Sequence, residues 1–424
     1  MLRKLLNNKE LLWTVFAQLL QMSSGVVLIK LLTSNLSLEG YGTFSLVMAA
    51  SAFVLTVPFT AFQQGFYRYR STYIKNNKGG ELYSSMVYGV VALIGLYILI
   101  SYIISLLFFE NKIWHTHFYI IALFVSTEVI KIYVRAIVNA DRKRKLYSIA
   151  IITEFFTKLV FVAICFIFPL DNVLYIVSLY ALSNIISIIV CVKEYISDFK
   201  YIPWSSFLAV WKKTLTFSAP LLIWSIFGWS RDSSLRWFIE AKLGTSDVAV
   251  FTAITSIAVI APLALQSLVS AYVIPILYQN DEGKNRYDLD RKFSYFIRYL
   301  YIFGLLAFFI LLFYSDVVVN LFTDEKYVVY SWVLPWAFIS YYLFCCAMVN
   351  ATTLLVDFDT KSLLYPNLLS GLIIPCAVFI SGKNFSLQLA VFLYCISYVL
   401  YFLVATYIVY KNRTKNGPIM KFHE

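Results

Sequence analysis

The chain has 424 residues, of which 60% are hydrophobic and only 14% are charged. This balance leaves too little polar surface for a water-soluble protein of this length and predicts an integral membrane protein. The net charge of +12 could indicate nucleic-acid binding. However, the basic residues fall in alternate loops between apolar runs, which is typical of membrane topology, so nucleic acid is not an expected partner.

Twelve apolar runs divide the chain, and most reach the roughly 20 residues that a helix needs to cross about 30 Å of hydrocarbon. In the first half they lie at residues 12–32, 43–63, 84–109, 118–139, 148–168 and 173–192. In the second half they lie at 215–238, 247–277, 293–314, 328–356, 363–381 and 387–411. The run at 247–277 exceeds one span, so Pro262 and Pro275 are expected to kink or end it. The predicted fold is all-α, with twelve transmembrane helices.

Basic residues also predict the orientation in the membrane. One set of alternate loops is rich in lysine and arginine, for example Arg142, Lys143, Arg144 and Lys145. The opposite loops contribute only Lys112, Lys242, Lys326 and Lys383. Because positive charge marks cytoplasmic loops, both termini are predicted to be cytoplasmic. The outer loops are all short, which leaves no room for an external domain.

The runs fall into two sets of six, separated by a stretch that mixes lysines with aromatic residues. We predict a six-helix lobe at residues 1–195, an amphipathic cytoplasmic linker at 196–213 and a second six-helix lobe at 214–424. Each half begins on the same side of the membrane, so an internal repeat would be parallel. The stretch LEGYGTFSLVMAASAF at 38–53 is weakly similar to LGTSDVAVFTAITSIAVI at 243–260.

Seven basic residues lie within the apolar runs: Lys30, Lys131, Arg135, Lys158, Arg231, Arg236 and Arg298. Three of them, Lys30, Arg236 and Arg298, lie near predicted helix ends, where a long side chain can reach the headgroups. The other four lie deeper, where each would cost roughly 2.5–3.5 kcal/mol if it faced lipid. They are therefore expected to face a partner or water.

Three acidic residues in the same runs are spaced to meet these cations. Glu128 precedes Lys131 by three and shares its helix face with Arg135, Glu154 precedes Lys158 by four, and Asp232 precedes Arg236 by four. One interpretation is that ion pairs simply dock the helices. The other is that the surplus of cations lines a hydrated cavity and binds an anion such as phosphate.

Other residues of the apolar runs have weaker signals. Gln18 and Gln21 share a helix face that could line the same cavity, and Trp224 and Trp229 could contact sugar rings, although helix packing explains all four equally well or better. The six cysteines show no spacing of metal ligands, and no phosphate-binding loop motif is present. No cofactor or metal is predicted.

Three stretches resemble the bacterial polysaccharide and O-antigen flippases. They are SNLSLEGYGTFSLVMAASAF at 34–53, RAIVNADRKRKLYSIAIITEFFTKLVFVA at 135–163 and TFSAPLLIWSIFGWSRDSSLRWFIEAKLGTSDVAVFTAITSIA at 216–258. The resemblance implies the multidrug/oligosaccharidyl-lipid/polysaccharide exporter fold, with two six-helix lobes around a central cavity that opens alternately to either side. It also implies an undecaprenyl-diphosphate-linked repeat unit as substrate, carried from the cytoplasmic to the periplasmic leaflet of the bacterial inner membrane.

The leading hypothesis is a lipopolysaccharide or polysaccharide flippase that is not an enzyme. Lys131, Arg135, Lys158 and Arg231 would hold the diphosphate, and Glu128, Glu154 or Asp232 would accept a coupling proton or cation. The surrounding lipids, a polysaccharide polymerase and its chain-length machinery are the expected partners. A cation-coupled drug exporter of the same fold stays open, although its cavity would be expected to be acidic. A membrane polymerase or glycosyltransferase is disfavoured by the short outer loops.

Overall fold

Helices account for all regular structure in the described part of the chain, which comprises residues 9–108, 112–167, 172–194, 201–279, 286–356, 362, 364–382 and 384–415 of a computed structural model. The first unit of the chain contains α1 Lys9–Asn35, α2 Leu38–Val54, α3 Ala61–Lys75, α4 Gly79–Phe108, α5 Lys112–Ala140, α6 Arg144–Ile167 and α7 Val173–Val192. These are followed by α8 Trp204–Leu243, α9 Thr245–Gln279, α10 Arg286–Phe322, α11 Val333–Val356, α12 Leu364–Ser381 and α13 Leu387–Lys415. A short 3-10 helix, Glu325–Tyr330, lies between α10 and α11.

Ten helical stretches in the described residues are long and apolar enough to cross a membrane, so the chain is a multi-pass membrane protein. One of the ten is Leu38–Lys75, which takes in both α2 and α3. The helices α5 and α8 are long enough but are not among the ten. Each of them carries three interior charges, which lower its hydropathy, whereas α6 carries Glu154 and Lys158 and is still among the ten. The count of twelve spans in two lobes stays a prediction.

Prolines alter the helices differently in the two halves of the chain. Pro58 lies within a π-helical segment, Leu55–Thr60, which joins α2 to α3 without a break. The widened turn accommodates a residue that has no backbone N–H, and the Tyr133 hydroxyl on α5 donates a 2.7 Å hydrogen bond to the Phe59 carbonyl. By contrast, α9 continues through Pro262 and Pro275 as one helix of 35 residues, so neither proline ends it.

The chain packs as two units, Met1–Ile226 and Phe227–Glu424, and the division falls within α8. In the first unit α1 packs on α6, α5 packs on α4 and α7, and α6 packs on α7. In the second unit α9, α10 and α13 pack on α11, and α12 packs on α13. There Gly371 of α12 also lies against the Phe227 carbonyl of α8. The pattern recurs with α4, α5, α6 and α7 matching α10, α11, α12 and α13, which favours a parallel internal repeat.

The segment predicted as an amphipathic linker ends in the first helical turns of α8. Trp211 donates a 3.2 Å hydrogen bond to the Ser85 carbonyl of α4 and lies where Gly89 leaves room for its ring. Phe207 is buried, whereas Trp204 is 68% exposed. This part of α8 therefore presents one apolar face to the first unit. The lobe boundaries at 195 and 214 stay a prediction.

Candidate functional site

The interior charges of the first unit form one network across α5, α6 and α7. The Lys131 ammonium lies 2.6 Å from both carboxylate oxygens of Glu128, one turn earlier on α5. It also donates to Glu154 of α6 at 2.7 Å and to the Asn184 side-chain carbonyl of α7 at 3.0 Å. Three helices thus meet at one lysine, and each of them supplies an acceptor.

Glu154 is the hub of this network because it meets three cations. Its Oε1 accepts from Lys131 and from Lys158, which is four residues further along α6. Its Oε2 lies 2.6 Å from an Arg135 guanidinium nitrogen. Arg135 also donates to the Ala150 carbonyl at 2.7 Å and to the Ser187 hydroxyl at 2.8 Å, so the arginine joins the same three helices.

This network has three cations and two carboxylates and therefore carries one surplus positive charge. The side chains of Lys131 and Glu154 are only 5% and 2% exposed, whereas those of Arg135 and Glu128 are 13% and 18% exposed. Lys158 is also buried, and its ammonium lies 4.9 Å from the centre of the Tyr180 ring. The network is a paired core with an accessible edge at Glu128 and Arg135.

A buried guanidinium, that of Arg231, occupies the corresponding place in the second unit. Arg231 of α8 is 3% exposed and donates to its neighbour Asp232 at 2.8 Å and to the Asn367 side-chain carbonyl of α12 at 2.8 Å. Three aromatic rings surround its guanidinium carbon, with ring centres at 4.3 Å for Phe344, 5.2 Å for Tyr398 and 4.9 Å for Tyr401. A planar, weakly hydrated cation suits such a box, because it stacks on ring faces while its N–H groups reach the acceptors.

Asp232 is the most accessible charge of the second centre. Its side chain is 46% exposed although it accepts from both Arg231 and, at 2.8 Å, the Tyr398 hydroxyl. A change in its charge would therefore act directly on the buried arginine and on α13. The Arg231 contact of Asp232 comes from the adjacent residue on α8. The pairing of Asp232 with Arg236 that sequence spacing indicates stays a prediction.

The two centres are built on equivalent helices. Lys131, Glu154 and Asn184 lie on α5, α6 and α7, and Phe344, Asn367 and Tyr398 lie on α11, α12 and α13, which occupy the same positions in the packing pattern. The first centre is ionic, and the second is aromatic with its cation supplied by α8. Sequence reasoning missed Asn184 and Asn367. Each is an isolated amide within an apolar run, and that isolation is the signal that could have indicated them.

The remaining candidate residues are two glutamines of α1 and two tryptophans of α8. Gln18 is half-buried and Gln21 exposed on α1, and neither amide hydrogen-bonds another described residue. Trp224 and Trp229 are half-buried on α8, one in each unit. A role for these four residues at the charged centres stays a prediction. Within the described residues no group of three or more potential metal ligands occurs.

A sequence model described as polysaccharide biosynthesis protein matches residues 8–281. The chain belongs to this family. The match covers α1 to α9, which includes the helices that carry Lys131, Glu154 and Arg231. No curated protein matches the chain.

Solved structures of transporters share the fold of this family member. An inward-facing multidrug resistance MATE family transporter of the MOP superfamily superposes with a TM-score of 0.71 at 13% identity, over 94% of this chain and 96% of that one. The lipid II flippase MurJ in an inward closed conformation superposes at 0.68 and 13% identity, over 94% and 87%. A Vibrio cholerae MATE transporter, the VcmN D35N mutant, superposes at 0.63 and 14% identity, over 96% of both chains. At 13–14% identity these likenesses show that the chain has the fold of these transporters.

Proposed function

We propose that the chain is a flippase that moves undecaprenyl-diphosphate-linked oligosaccharide from the cytoplasmic to the periplasmic leaflet by alternating access, with no enzymatic step. Three findings support the proposal: the family, the exporter fold and the ionic centre of the first unit. The ionic centre carries it, because surplus positive charge buried among membrane helices suits a multiply charged anion. An O-antigen repeat unit is the substrate that the sequence resemblance favours.

The ion pairs of the first unit indicate how such a substrate would bind. A diphosphate is too costly to move through hydrocarbon as an isolated charge, so it needs a route lined by groups that replace its hydration. In the structure the carboxylates of Glu128 and Glu154 satisfy Lys131, Arg135 and Lys158. Phosphate oxygens accept the same kind of charge-assisted hydrogen bonds from lysine and arginine as carboxylates do. Substrate binding would therefore exchange carboxylate contacts for phosphate contacts, starting at the half-buried edge formed by Glu128 and Arg135.

The second centre would act in the same way with a single cation. Arg231 would contact the diphosphate after release from Asp232, and the freed carboxylate would take up a proton or cation that couples transport to a gradient. Trp224, Trp229, Gln18 and Gln21 are proposed contacts for the sugar. A polymerase and its chain-length machinery are proposed partners on the periplasmic side of the inner membrane.

A drug exporter is the second candidate, and one observation favours it. Asp232 is half-exposed, as a carboxylate that binds cationic drugs would need to be. The first centre opposes it, because a cationic drug would meet its surplus positive charge. The named structural neighbours are transporters and a flippase, which favours a transport role over a membrane glycosyltransferase.

The test is transport by the purified chain in proteoliposomes. A fluorescent polyprenyl-diphosphate-linked oligosaccharide is placed in one leaflet, and its arrival in the other is read with an impermeant quencher. We expect the Lys158→Gln variant to slow transport by about tenfold or more, because a charge-assisted contact contributes roughly 1.5–3 kcal/mol. The fold should tolerate this change, because Glu154 keeps Lys131 and Arg135.

A matched variant controls for the loss of a lysine. Lys78 lies between α3 and α4, has a side chain that is 59% exposed and contacts Glu81 at 3.8 Å. The Lys78→Gln variant should transport at close to the native rate. The proposal fails if Lys158→Gln and Arg231→Gln both transport at the native rate when reconstituted in equal amounts. Uptake of a cationic drug without lipid transport would favour the exporter instead.

A further inference from the structure

In the turn between α5 and α6, one residue adopts a backbone conformation that its residue type disfavours. Arg142 has a φ of 58°, in the left-handed region. The Lys143 N–H bonds the Val138 carbonyl and the Arg142 N–H bonds the Asn139 carbonyl, which is the Schellman pattern of helix termination. Its left-handed position normally holds glycine, or sometimes asparagine. An arginine there is disfavoured by the backbone and indicates a use for its side chain.

The end of α3 shows the same turn with a neutral residue. Asn77 has a φ of 57°, the Lys78 N–H bonds the Tyr73 carbonyl, and the Asn77 N–H bonds the Ile74 carbonyl. Asparagine tolerates this conformation, so the turn after α3 follows the usual rule. The two turns share backbone geometry and differ in charge, which makes them a matched pair.

An open surface cavity of about 590 Å³ lies beside the Arg142 turn. Four consecutive cations line it: Arg142, Lys143, Arg144 and Lys145. Glu194, just beyond the end of α7, also lines the cavity and pairs with Lys143 at 2.9 Å, and Arg144 donates to the Asn139 side chain. Among the described residues no carboxylate contacts Arg142, Arg144 or Lys145. The cavity therefore carries a strong positive excess.

One side of this cavity is apolar. Leu146 and Ile149 line the cavity next to the cations, and both lie in the first turns of the membrane-spanning stretch Arg144–Ile167. Positive charge thus meets apolar surface where a span begins. A soluble anion would use only the charged side of this cavity, whereas a lipid would place its phosphate against the cations and its chain along the apolar wall.

We propose that this cavity binds the phosphate headgroup of an anionic lipid at the membrane surface, on the predicted cytoplasmic side. Phosphate is the shared chemistry of two lipid sources, a bulk phospholipid and a polyprenyl diphosphate. The site is separate from the interior charged centres and does not depend on transport. A binding measurement therefore tests it without testing the proposed function.

The experiment measures lipid binding to the full chain in phosphatidylcholine nanodiscs. Three probes are titrated: phosphatidylglycerol in the nanodisc, undecaprenyl diphosphate in the nanodisc, and soluble pyrophosphate. The variant is Arg142→Gly, which removes a cation and supplies the residue that the left-handed turn prefers. We expect its unfolding temperature to be unchanged or higher. Its affinity for at least one lipid should fall about fivefold, which is the affinity that one cation near a membrane surface contributes.

Two further variants make the result decisive. Asn77→Gly relaxes the matched turn without changing charge and should leave lipid affinity unchanged. Lys145→Gln should weaken the same lipid by a similar factor as Arg142→Gly. The responding lipid identifies the source. The proposal is overturned if neither lipid responds to Arg142→Gly and Lys145→Gln, or if pyrophosphate binds as tightly as the lipids and loses the same factor.

Discussion

Glu154 offers the sharpest test of how the first unit tolerates its buried cations. The change is Glu154→Gln, which keeps the side-chain shape and removes one negative charge. Lys158 and Arg135 then lose their carboxylate, whereas Lys131 keeps Glu128. Removing one partner of a buried ion pair costs about 3–5 kcal/mol, because the remaining charge is left without compensation. For a unit of roughly 200 residues, this corresponds to a fall in Tm on the order of 10 °C.

The double variant Glu154→Gln/Lys158→Gln separates charge compensation from packing. It removes one charge of each sign, so the centre keeps the single surplus positive charge of the native protein. We expect it to recover stability relative to Glu154→Gln, with an interaction free energy of about 1–3 kcal/mol between the two sites. Transport should stay low in both variants. Both lack the Glu154 carboxylate that contacts the three cations, and the double variant also lacks the Lys158 ammonium.

The assay is thermal unfolding of detergent-purified protein, followed by intrinsic fluorescence and compared at one heating rate. Lys158→Gln alone completes the cycle and should cost less than Glu154→Gln, since Glu154 then keeps two cations. A Glu154→Gln variant as stable as the native protein would refute the reasoning, because the cations would not depend on this carboxylate. A double variant with no recovery would show that the loss comes from packing.

Two other changes test the second unit by thermal unfolding. Arg231→Lys should lower the unfolding free energy by about 2 kcal/mol, since lysine loses the planar stacking in the aromatic box. Its control is Arg298→Lys, at an exposed arginine whose guanidinium lies 5.5 Å from the centre of the Tyr295 ring. This control variant should be nearly neutral. Gly371→Ala should cost about 1–3 kcal/mol, because a Cβ there would lie 2.3 Å from the Phe227 carbonyl oxygen. Gly228→Ala, whose Cβ would meet nothing closer than 4.0 Å, should be neutral or stabilising. Equal effects within either pair would contradict the packing described.

Helix periodicity predicted the parts of the site that depend on one helix. The spacing of Glu128 and Lys131, and of Glu154 and Lys158, places each pair on one face, and both pairs are in contact. All twelve predicted runs coincide largely with helices. Hydropathy alone identifies fewer spans, because the interior charges of α5 and α8 lower the mean hydropathy of these helices.

Contacts between helices could not be predicted in the same way. Lys131 meets Glu154 at a separation of 23 residues, and Arg231 meets Asn367 at 136. No local pattern encodes such contacts, since they depend on which helix faces pack together. The aromatic box around Arg231 was hidden for a second reason. Aromatic residues make up 18% of the chain, so three more on α11 and α13 carried no signal.

The charge balance of the first centre has a consequence for coupling. A diphosphate that joins a polyprenol to a sugar is doubly negative at neutral pH, whereas the centre has a surplus of one positive charge. Binding in a region of low dielectric would leave an uncompensated negative charge, which is strongly unfavourable. A carboxylate at the exposed edge can remove it by taking up a proton. Glu128 is the candidate, because its side chain is the more exposed of the two.

We therefore predict that substrate binding takes up a proton through Glu128, so the affinity for the lipid diphosphate should rise as pH falls. Titration calorimetry in two buffers of different ionisation enthalpy gives the number of protons taken up. The Glu128→Gln variant should bind with little proton uptake and a flatter pH dependence, because its side chain is already neutral. Glu81→Gln, at an exposed ion pair outside the centre, should behave as the native protein does. Equal proton uptake by the native protein and Glu128→Gln would exclude Glu128 as the coupling group.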